Sequence, residues 1–366
     1  IVSYYLPDHS FIHHFIDSEF HERGIGSDTA LALLREVQLN YRPDLKIVVM
    51  SATLLGDPND DDNDDGDITE ENTGTKLKRI LGGDDSCNVL RSEGRQYPIT
   101  IQHALRTSPR HAALLRDTKL LVKTMSDTIE EGLRKAPDKG DVLSFLPGAK
   151  EIKRVVNELK SRGSIQDIDV LPLYGALPKA EQDRAIFKGE SSSGRRRRVI
   201  VSSPIAEASL TIEGVTCVVD SGLQRQPRYD ANTGLPRLIT VACSRDSAVQ
   251  RAGRAGRTQD GYCIRLFSEA ELDRMPLHSR PEIWSTDLVP TTLLLSEWGC
   301  ASADEILRDL PFIDPPPEDA LMKAYRMLVD LGALEEYTLP NSRRRRYKVT
   351  GHGSDLARLA THPRFA

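Results

Sequence analysis

Apolar residues recur along the chain with two different periods. Thr29–Leu39 (TALALLREVQL) has helical spacing and strong helix formers. Lys46–Met50 (KIVVM) is β-branched and mostly apolar, which predicts a buried parallel strand. Val142–Leu146 (VLSFL) predicts a second strand, stopped by Pro147-Gly148. Lys150–Ser161 follows as a helix with Ile152, Val155, Val156 and Leu159 on its apolar face. Asp169–Leu173, Val199–Val201 and Cys217–Asp220 predict further strands. Strands alternating with helices imply an α/β fold whose parallel sheets are covered on both faces. From about Glu282 the pattern changes. Helices are predicted at Leu288–Trp298, Ala303–Leu307 and Glu318–Leu331, then a hairpin within Tyr337–Val349, the signature of a small helical domain with a wing. Pro315-Pro316-Pro317 is a stiff entry to the helix at Glu318. Ser354–Ala366 starts a helix and stops.

The 366 residues correspond to two or three domains at about 100–200 residues each. With 39% hydrophobic and 28% charged residues the chain can bury sizeable cores, which excludes a disordered or collagen-like class. No apolar run approaches the ~18 residues of a membrane span. The net charge of −5 argues against a uniformly basic nucleic-acid binder. That total, however, comes from one place. Residues 56–72 (GDPNDDDNDDGDITEEN) hold nine acidic residues and no Lys or Arg, and read as a solvated loop. The remaining 45 acidic residues face 49 basic ones, a balance of +4, so a nucleic-acid partner stays open. The five cysteines are widely spaced and form no C-x-x-C pair, which speaks against a disulfide framework or a zinc site. A reducing, intracellular setting fits them, and no signal-peptide pattern is present. The chain begins at Ile1 rather than Met and is read as a piece of a longer protein.

Four segments could carry chemistry. Gln250-Arg251-Ala252-Gly253-Arg254-Ala255-Gly256-Arg257 places three arginines at intervals of three among small residues, suited to close approach to a polyanion. At helical spacing Arg254 and Arg257 fall one turn apart on one face. Ser18-Glu19-Phe20-His21-Glu22-Arg23 sets carboxylates after an apolar strand, where α/β sheets bind ligands. Ser51-Ala52-Thr53 puts two hydroxyls on a turn after KIVVM, and Ser203–Ile212 follows another strand with hydroxyls and amides that could meet phosphates. Gly189–Arg196 has G-x-x-x-x-G spacing, but Arg195 and Arg196 stand where a phosphate loop needs Lys and Ser/Thr, so it reads as a flexible loop. Arg195–Arg198 and Arg343–Arg346 read as solvated loop charge, or else as sequence-independent phosphate contacts.

In this order the segments resemble a superfamily-2 helicase of the DEAH-box type. Ser18–Arg23 is similar to motif II (D-E-x-H, with H-E-R-G at His21–Gly24), Ser51–Thr53 to motif III, Leu143–Gly148 to motif IV, Ser203–Ile212 to motif V and Gln250–Arg257 to motif VI. Arg228–Leu238 resembles the family's β-hairpin, and E-F-H-E-R, SLTIEG and the WGC at 298–300 look most like the HrpB-type subfamily. The resemblance implies tandem RecA-like domains with parallel sheets, the first truncated. It implies a first-domain part at 1–97, a second domain at 98–281, a winged helix at 282–349 and the start of a helical ratchet region at 350–366. It implies Mg²⁺-ATP as cofactor and single-stranded or structured RNA as partner, with DNA an alternative strand and no membrane. By resemblance Glu19 orients the attacking water and His21 couples to motif VI. Ser51 and Thr53 link hydrolysis to strand movement, and Ser203 touches the RNA backbone. Ser209, Thr211 and Gly253 face the nucleotide, Gln250 helps place the water, and Arg254 and Arg257 act as arginine fingers. Ser18 stands where the family has its Mg²⁺-associated Asp. Motif I is not in the chain, so the 366 residues alone are expected to hydrolyse ATP negligibly. The rival reading is a degenerate, non-catalytic RNA-binding or adaptor protein, favoured by Ser18 and by Ser203, Pro204 and Ala208 in motif V.

Overall fold

The computed structural model describes residues 14–17, 20–51, 73–83, 86–90, 97–104, 110–137, 140–187, 196–207, 210–230, 235–340, 344–359 and 361–365. It forms two compact units, one of residues 91–226 and 238–279, the other of residues up to 90, 227–237 and from 280 on. The acidic segment 56–72 and most of Gly189–Arg196 lie outside the described residues.

The chain opens with β1 (His14–Asp17), α1 (Ile25–Asn40), β2 (Lys46–Val49) and α2 (Thr73–Ile80), with β1 and β2 paired in parallel. The helix expected at Thr29–Leu39 is α1. The strand at 46–50 is present, but it is not buried as its composition suggested: Val48 is 39% and Met50 45% exposed. Among the described residues one face of β2 is covered, where Ile47 and Val49 pack on Phe20, Leu31, Leu77 and Ile313. A run of apolar residues is silent on which of its two faces has a partner.

The next stretch of chain contains β3 (Ile99–His103), α3 (His111–Arg116), α4 (Thr118–Lys135), β4 (Asp141–Phe145), α5 (Ala149–Ser161), β5 (Ile168–Leu173), α6 (Lys179–Ile186), β6 (Arg197–Ser202), β7 (Val215–Asp220), the paired strands β8 (Leu223–Asp230) and β9 (Leu235–Ala242), whose far ends are counted with the other unit, α7 (Arg245–Gly253), β10 (Gly261–Arg265) and α8 (Glu269–Leu272). Six strands form one parallel sheet in the order β3-β10-β7-β4-β6-β5. Alternate residues serve its two faces. Val142, Val199, Val201, Cys217 and Val219 share a core with Leu121, Met125 and Ile129 of α4 and Val155 of α5. Leu143, Phe145, Ile200 and Val218 face Ala185 of α6 and Ala252 of α7. This two-sided covering explains why these strands read as unbroken apolar runs. The start of α4 is fixed by Asp117, whose carboxylate accepts the amides of Lys119 (2.8 Å) and Leu120 (3.1 Å).

One arginine run departs from the expected solvated loop. Arg197 and Arg198 open β6, beside Asp141 at the start of β4. Arg198 is 5% exposed; its Nε donates to Asp141 Oδ2 and its backbone amide to Oδ1, both at 2.9 Å. Carbonyls of Ala185, Phe187 and Glu213 take its remaining N–H groups. Arg197 donates to the carbonyls of Gly140 (2.7 Å) and Leu133 (2.6 Å). Both arginines bond partners distant in sequence, which a local reading of four arginines does not reveal; the Arg197 Nη2 is left buried without one. The second run fits expectation: Arg344, Arg345 and Arg346 lie at the surface or half-buried and pair with Asp304, Glu336 and Glu305. All five cysteines are free, and Cys217, Cys243 and Cys263 are buried. Burial pushes the Cys217 and Cys243 thiols up to about 12 and raises that of Cys263 as well.

The chain ends in α9 (Val289–Trp298), α10 (Ala303–Asp309), α11 (Glu318–Asp330), an antiparallel hairpin of β11 (Leu334–Thr338) and β12 (Arg345–Val349), and α12 (Gly351–Arg358). Their core holds Leu293, Ile306, Leu321 and Leu328, with Tyr325 stacked on Tyr347 at 4.3 Å, and Ala32 of α1 joins it. No helix among the described residues is long and apolar enough to cross a membrane. An ion cluster ties the first segment to these helices. Arg23, in the left-handed region at φ 50° and 4% exposed, donates to Asp28 (3.1 and 3.0 Å) and to Asp314 (2.7 Å). Lys76 holds the other Asp314 oxygen at 2.8 Å, and the Arg23 carbonyl accepts the Glu282 amide at 3.0 Å.

Two outcomes follow from these buried charges. Burial pushes the Asp314 carboxyl up, but Lys76 and Arg23 outweigh it and hold it below the usual range. Asp314 therefore adds stability that is present above the unfolded carboxylate's titration, near pH ~4, and lost as pH falls through the lowered folded value. Asp314→Asn is expected to melt lower at neutral pH and to show a shallower loss below that point, read by circular dichroism melts across pH. Arg198→Met strands the Asp141 charge and is expected to cost about 3–5 kcal/mol in urea unfolding.

Candidate functional site

The six-stranded sheet has a point where its connections diverge. From β4 the chain crosses through α5 to β5, whereas from β7 it returns to β10 on the other side. The C-terminal ends of the neighbours β4 and β7 therefore open a crevice, the usual ligand position in such sheets. Phe145 ends β4 and Asp220 ends β7. Between them lies the Arg251 side chain, fully buried, with its guanidinium 5.3 Å from the Phe145 ring centre. Its Nε donates to Glu207 Oε2 and its Nη1 to Asp220 Oδ1, both at 2.9 Å, and Nη1 also reaches the Leu223 carbonyl at 3.3 Å. Burial alone would lower the Arg251 pKa; the Asp220 and Glu207 carboxylates outweigh it and raise it.

Helix α7 carries Arg251 there. Its N-cap is Ser244, whose hydroxyl accepts the Ser247 amide at 3.2 Å. Ser247, Ala248, Arg251 and Ala252 form the buried stripe, at the i, i+1, i+4, i+5 spacing of one helix face. The α-helix stops at Gly253, and Arg254–Gly256 tighten into a 3₁₀ turn. Arg254 and Arg257 lie in this tighter turn rather than in the α-helix; at three residues per turn they still fall one turn apart, and they bind the neighbouring residues Leu210 and Thr211. The two nearby glycines have different reasons. A Cβ on Gly256 would lie 2.7 Å from the Tyr97 carbonyl oxygen and 2.8 Å from Ile99 Cγ1, so packing against β3 requires glycine. A Cβ on Gly253 would meet nothing within 4 Å, so packing does not require it.

Several predicted residues come together. Arg254, 9% exposed, donates from Nη1 to the Leu210 carbonyl at 2.8 Å and from Nη2 to the Glu207 carbonyl. Arg257 is exposed and donates to the Thr211 hydroxyl at 2.9 Å. Gln250 is half-buried on α7. Ser203 caps a 3₁₀ turn (Pro204–Ala206) at the end of β6, its amide bound to the Leu173 carbonyl at 2.9 Å. Segments 203–211 and 250–257 are thus one hydrogen-bonded assembly. In the other unit, His21 lies in a 3₁₀ turn (Phe20–Glu22) just before Arg23, and half-buried Ser51 follows β2. Ser18, Glu19, Thr53 and Ser209 lie outside the described residues. No group of three or more His, Cys, Asp or Glu among the described residues could hold a metal ion. The sequence reading assigned no role to Arg251, Glu207 or Asp220. The signals that mark Arg251 and Asp220 are the helical stripe through Ala248 and Ala252, which puts Arg251 on the buried face, and an acid ending the mostly apolar VTCVV run, which needs a cationic partner.

A parallel sheet with helices on both faces, joined to an arginine-bearing turn beyond its strand ends, defines a RecA-like helicase domain. Residues 123–259 match the helicase conserved C-terminal domain family. The chain is 37% identical over 98% of its length to the ATP-dependent RNA helicase HrpB of Escherichia coli (strain K12), of which it covers 38%. It is 33% identical over 87% of its length to the probable ATP-dependent RNA helicase DHX35 of Homo sapiens, of which it covers 42%. The crystal structure of the Escherichia coli DEAH/RHA helicase HrpB superposes with a TM-score of 0.74 and 34% identity, covering 98% of this chain and 39% of that one. The chain carries a helicase conserved C-terminal domain and is similar to RNA helicases of the DEAH/RHA group, HrpB among them. It spans about two fifths of the length of these relatives.

The glycine pair yields a contrast. Gly256→Ala is expected to destabilise by about 1–3 kcal/mol through overpacking. Gly253→Ala is expected to be neutral or to stabilise by up to about 1 kcal/mol, since the position is helical and open. Chemical denaturation of the two variants side by side checks this.

Proposed function

We propose that this chain forms part of an ATP-dependent RNA helicase that hydrolyses Mg²⁺-ATP to translocate on and unwind RNA. The observation that supports this most is the assembly of Arg257, Thr211 and open Gly253 where the turn after α7 meets the segment leading into β7. It offers an exposed guanidinium, a hydroxyl and uncovered backbone, the groups that suit a triphosphate. In this reading Arg257 stabilises charge on the transferred phosphoryl group. Gly253 and Thr211, with Ser209, line the nucleotide. Gln250 with Glu19 places the attacking water, and His21 couples motif II to motif VI. Arg254 is held by the Glu207 and Leu210 carbonyls, so its direct duty in this state is to hold the motif V turn. Ser203, ending β6, meets the RNA backbone, and Ser51 and Thr53 link the two events. Ser18 would stand nearest the magnesium ion, and a hydroxyl there is a weaker ligand than a carboxylate. Residues 1–97 and 98–281 are assigned to two RecA-like domains, 282–349 to a winged helix and 350–366 to the start of the ratchet region. RNA contacts to the backbone would give little sequence preference.

The full-length protein containing this chain is expected to hydrolyse ATP faster with single-stranded RNA than without. Arg257→Ala is expected to lower its kcat by about a thousandfold or more, with strand binding in the absence of nucleotide retained. Phosphate release and fluorescence anisotropy measure the two. A wild-type protein that binds RNA but hydrolyses no ATP would instead establish the adaptor reading, and equal competition by DNA would remove the preference for RNA.

A further inference from the structure

Glu207 is held twice by the arginine segment. Its carboxylate accepts Arg251 Nε at 2.9 Å, and its carbonyl accepts Arg254 Nη2. Downstream, Leu210 accepts Arg254 and Thr211 accepts Arg257. Upstream, the Glu207 amide donates to the Pro204 carbonyl at 2.8 Å, closing the 3₁₀ turn that begins at Ser203. Ala206, just before it, is fully buried. Glu207 is therefore the junction between Ser203, just after β6, and the arginine segment that also binds Leu210 and Thr211.

The two acids on Arg251 are not equivalent. Arg251 and Asp220 have side chains with 0% exposure, and Asp220 also accepts the Gly222 amide at 2.8 Å. That pair is fixed. The Glu207 side chain is 16% exposed, so its bond to Arg251 can be exchanged for water while Asp220 keeps the guanidinium paired. A movable carboxylate on an immobile guanidinium is a point where a turn can be shifted without opening the core.

We propose that Glu207 is a positioning residue for strand-stimulated ATP hydrolysis. Its contact with Arg251 holds the 3₁₀ turn at 204–206 against α7, and displacement of that turn by a strand at Ser203 passes through the Glu207 carbonyl to Arg254 and so to Arg257. This rests on the helicase reading above. Glu207 touches neither phosphate nor RNA; it acts through the arginines.

The test uses the full-length protein and Glu207→Gln, which keeps the shape and removes the charge. Expected is a fall of about tenfold in RNA-stimulated kcat, with KM for ATP held within about twofold and an unchanged melting temperature. Because Glu207 acts through the arginines, Glu207→Gln combined with Arg257→Ala should be little slower than Arg257→Ala alone. The proposal is overturned if Glu207→Gln keeps kcat within about twofold, or if the two losses multiply. It is also overturned if the variant melts more than about 5 °C lower and loses activity in proportion, the mark of a merely structural role. Absence of RNA-stimulated hydrolysis in the wild type would overturn the helicase reading instead, so the two failures are distinct.

Discussion

A guanidinium sealed beneath the surface imposes the strictest condition in the sheet unit. Arg251 has no contact with solvent, so its charge must be met by protein groups or the segment cannot fold. Two carboxylates, one carbonyl and an aromatic face meet it, and they come from four places: the ends of β4 and β7, the start of β8 and the turn after β6. These bonds from Nε and Nη1 therefore fix the relative positions of all four, with Nη2 left buried and unbonded. Arginine suits this better than lysine, because its planar fork reaches several acceptors at set angles and stays charged at every accessible pH. A well-packed apolar side chain could be as stable in such a place, so the pair is better understood as specifying geometry than as adding net stability.

The other unit repeats the device. Arg23 sits in a left-handed backbone conformation and gathers Asp28 and Asp314, which are 286 residues apart in the numbering. Its carbonyl also receives the Glu282 amide. The turn that carries His21 is thus anchored to the helical part of the same unit by charge rather than by apolar contact alone. In both units an arginine within a motif segment supplies the anchor.

Much of this fold was legible because each element keeps to a single pattern of its own. Helix α5 shows every apolar residue where helical spacing puts it, and the buried strands β4, β6 and β7 are unmistakable runs. What was not legible depends on distance along the chain. Arg198 looked like solvated charge because Asp141, its partner, lies 57 residues away. The exposure of Val48 could not be read because composition does not show which face of a strand is covered. Gly253 and Gly256 occupy matching places in a repetitive motif, yet only the second is forced by a neighbour, and that neighbour is Tyr97. The site divided in the same way. Segments 203–212 and 250–257 were visible as motifs, whereas the bond from Glu207 to Arg251 spans 44 residues and had no local sign.

The distribution of thiols has a practical side. The sheet unit keeps its three cysteines buried, with burial driving each away from the reactive thiolate form. Of the two half-buried ones in the other unit, Cys300 is pushed up to about 12 by the same effect. Maleimide chemistry on the folded chain should therefore favour Cys87. A cysteine placed at exposed Thr258, beside Arg257, would be the one readily labelled position of the sheet unit. The native sequence is already prepared for paired dyes, with one on each unit and no background cysteine to remove from the sheet.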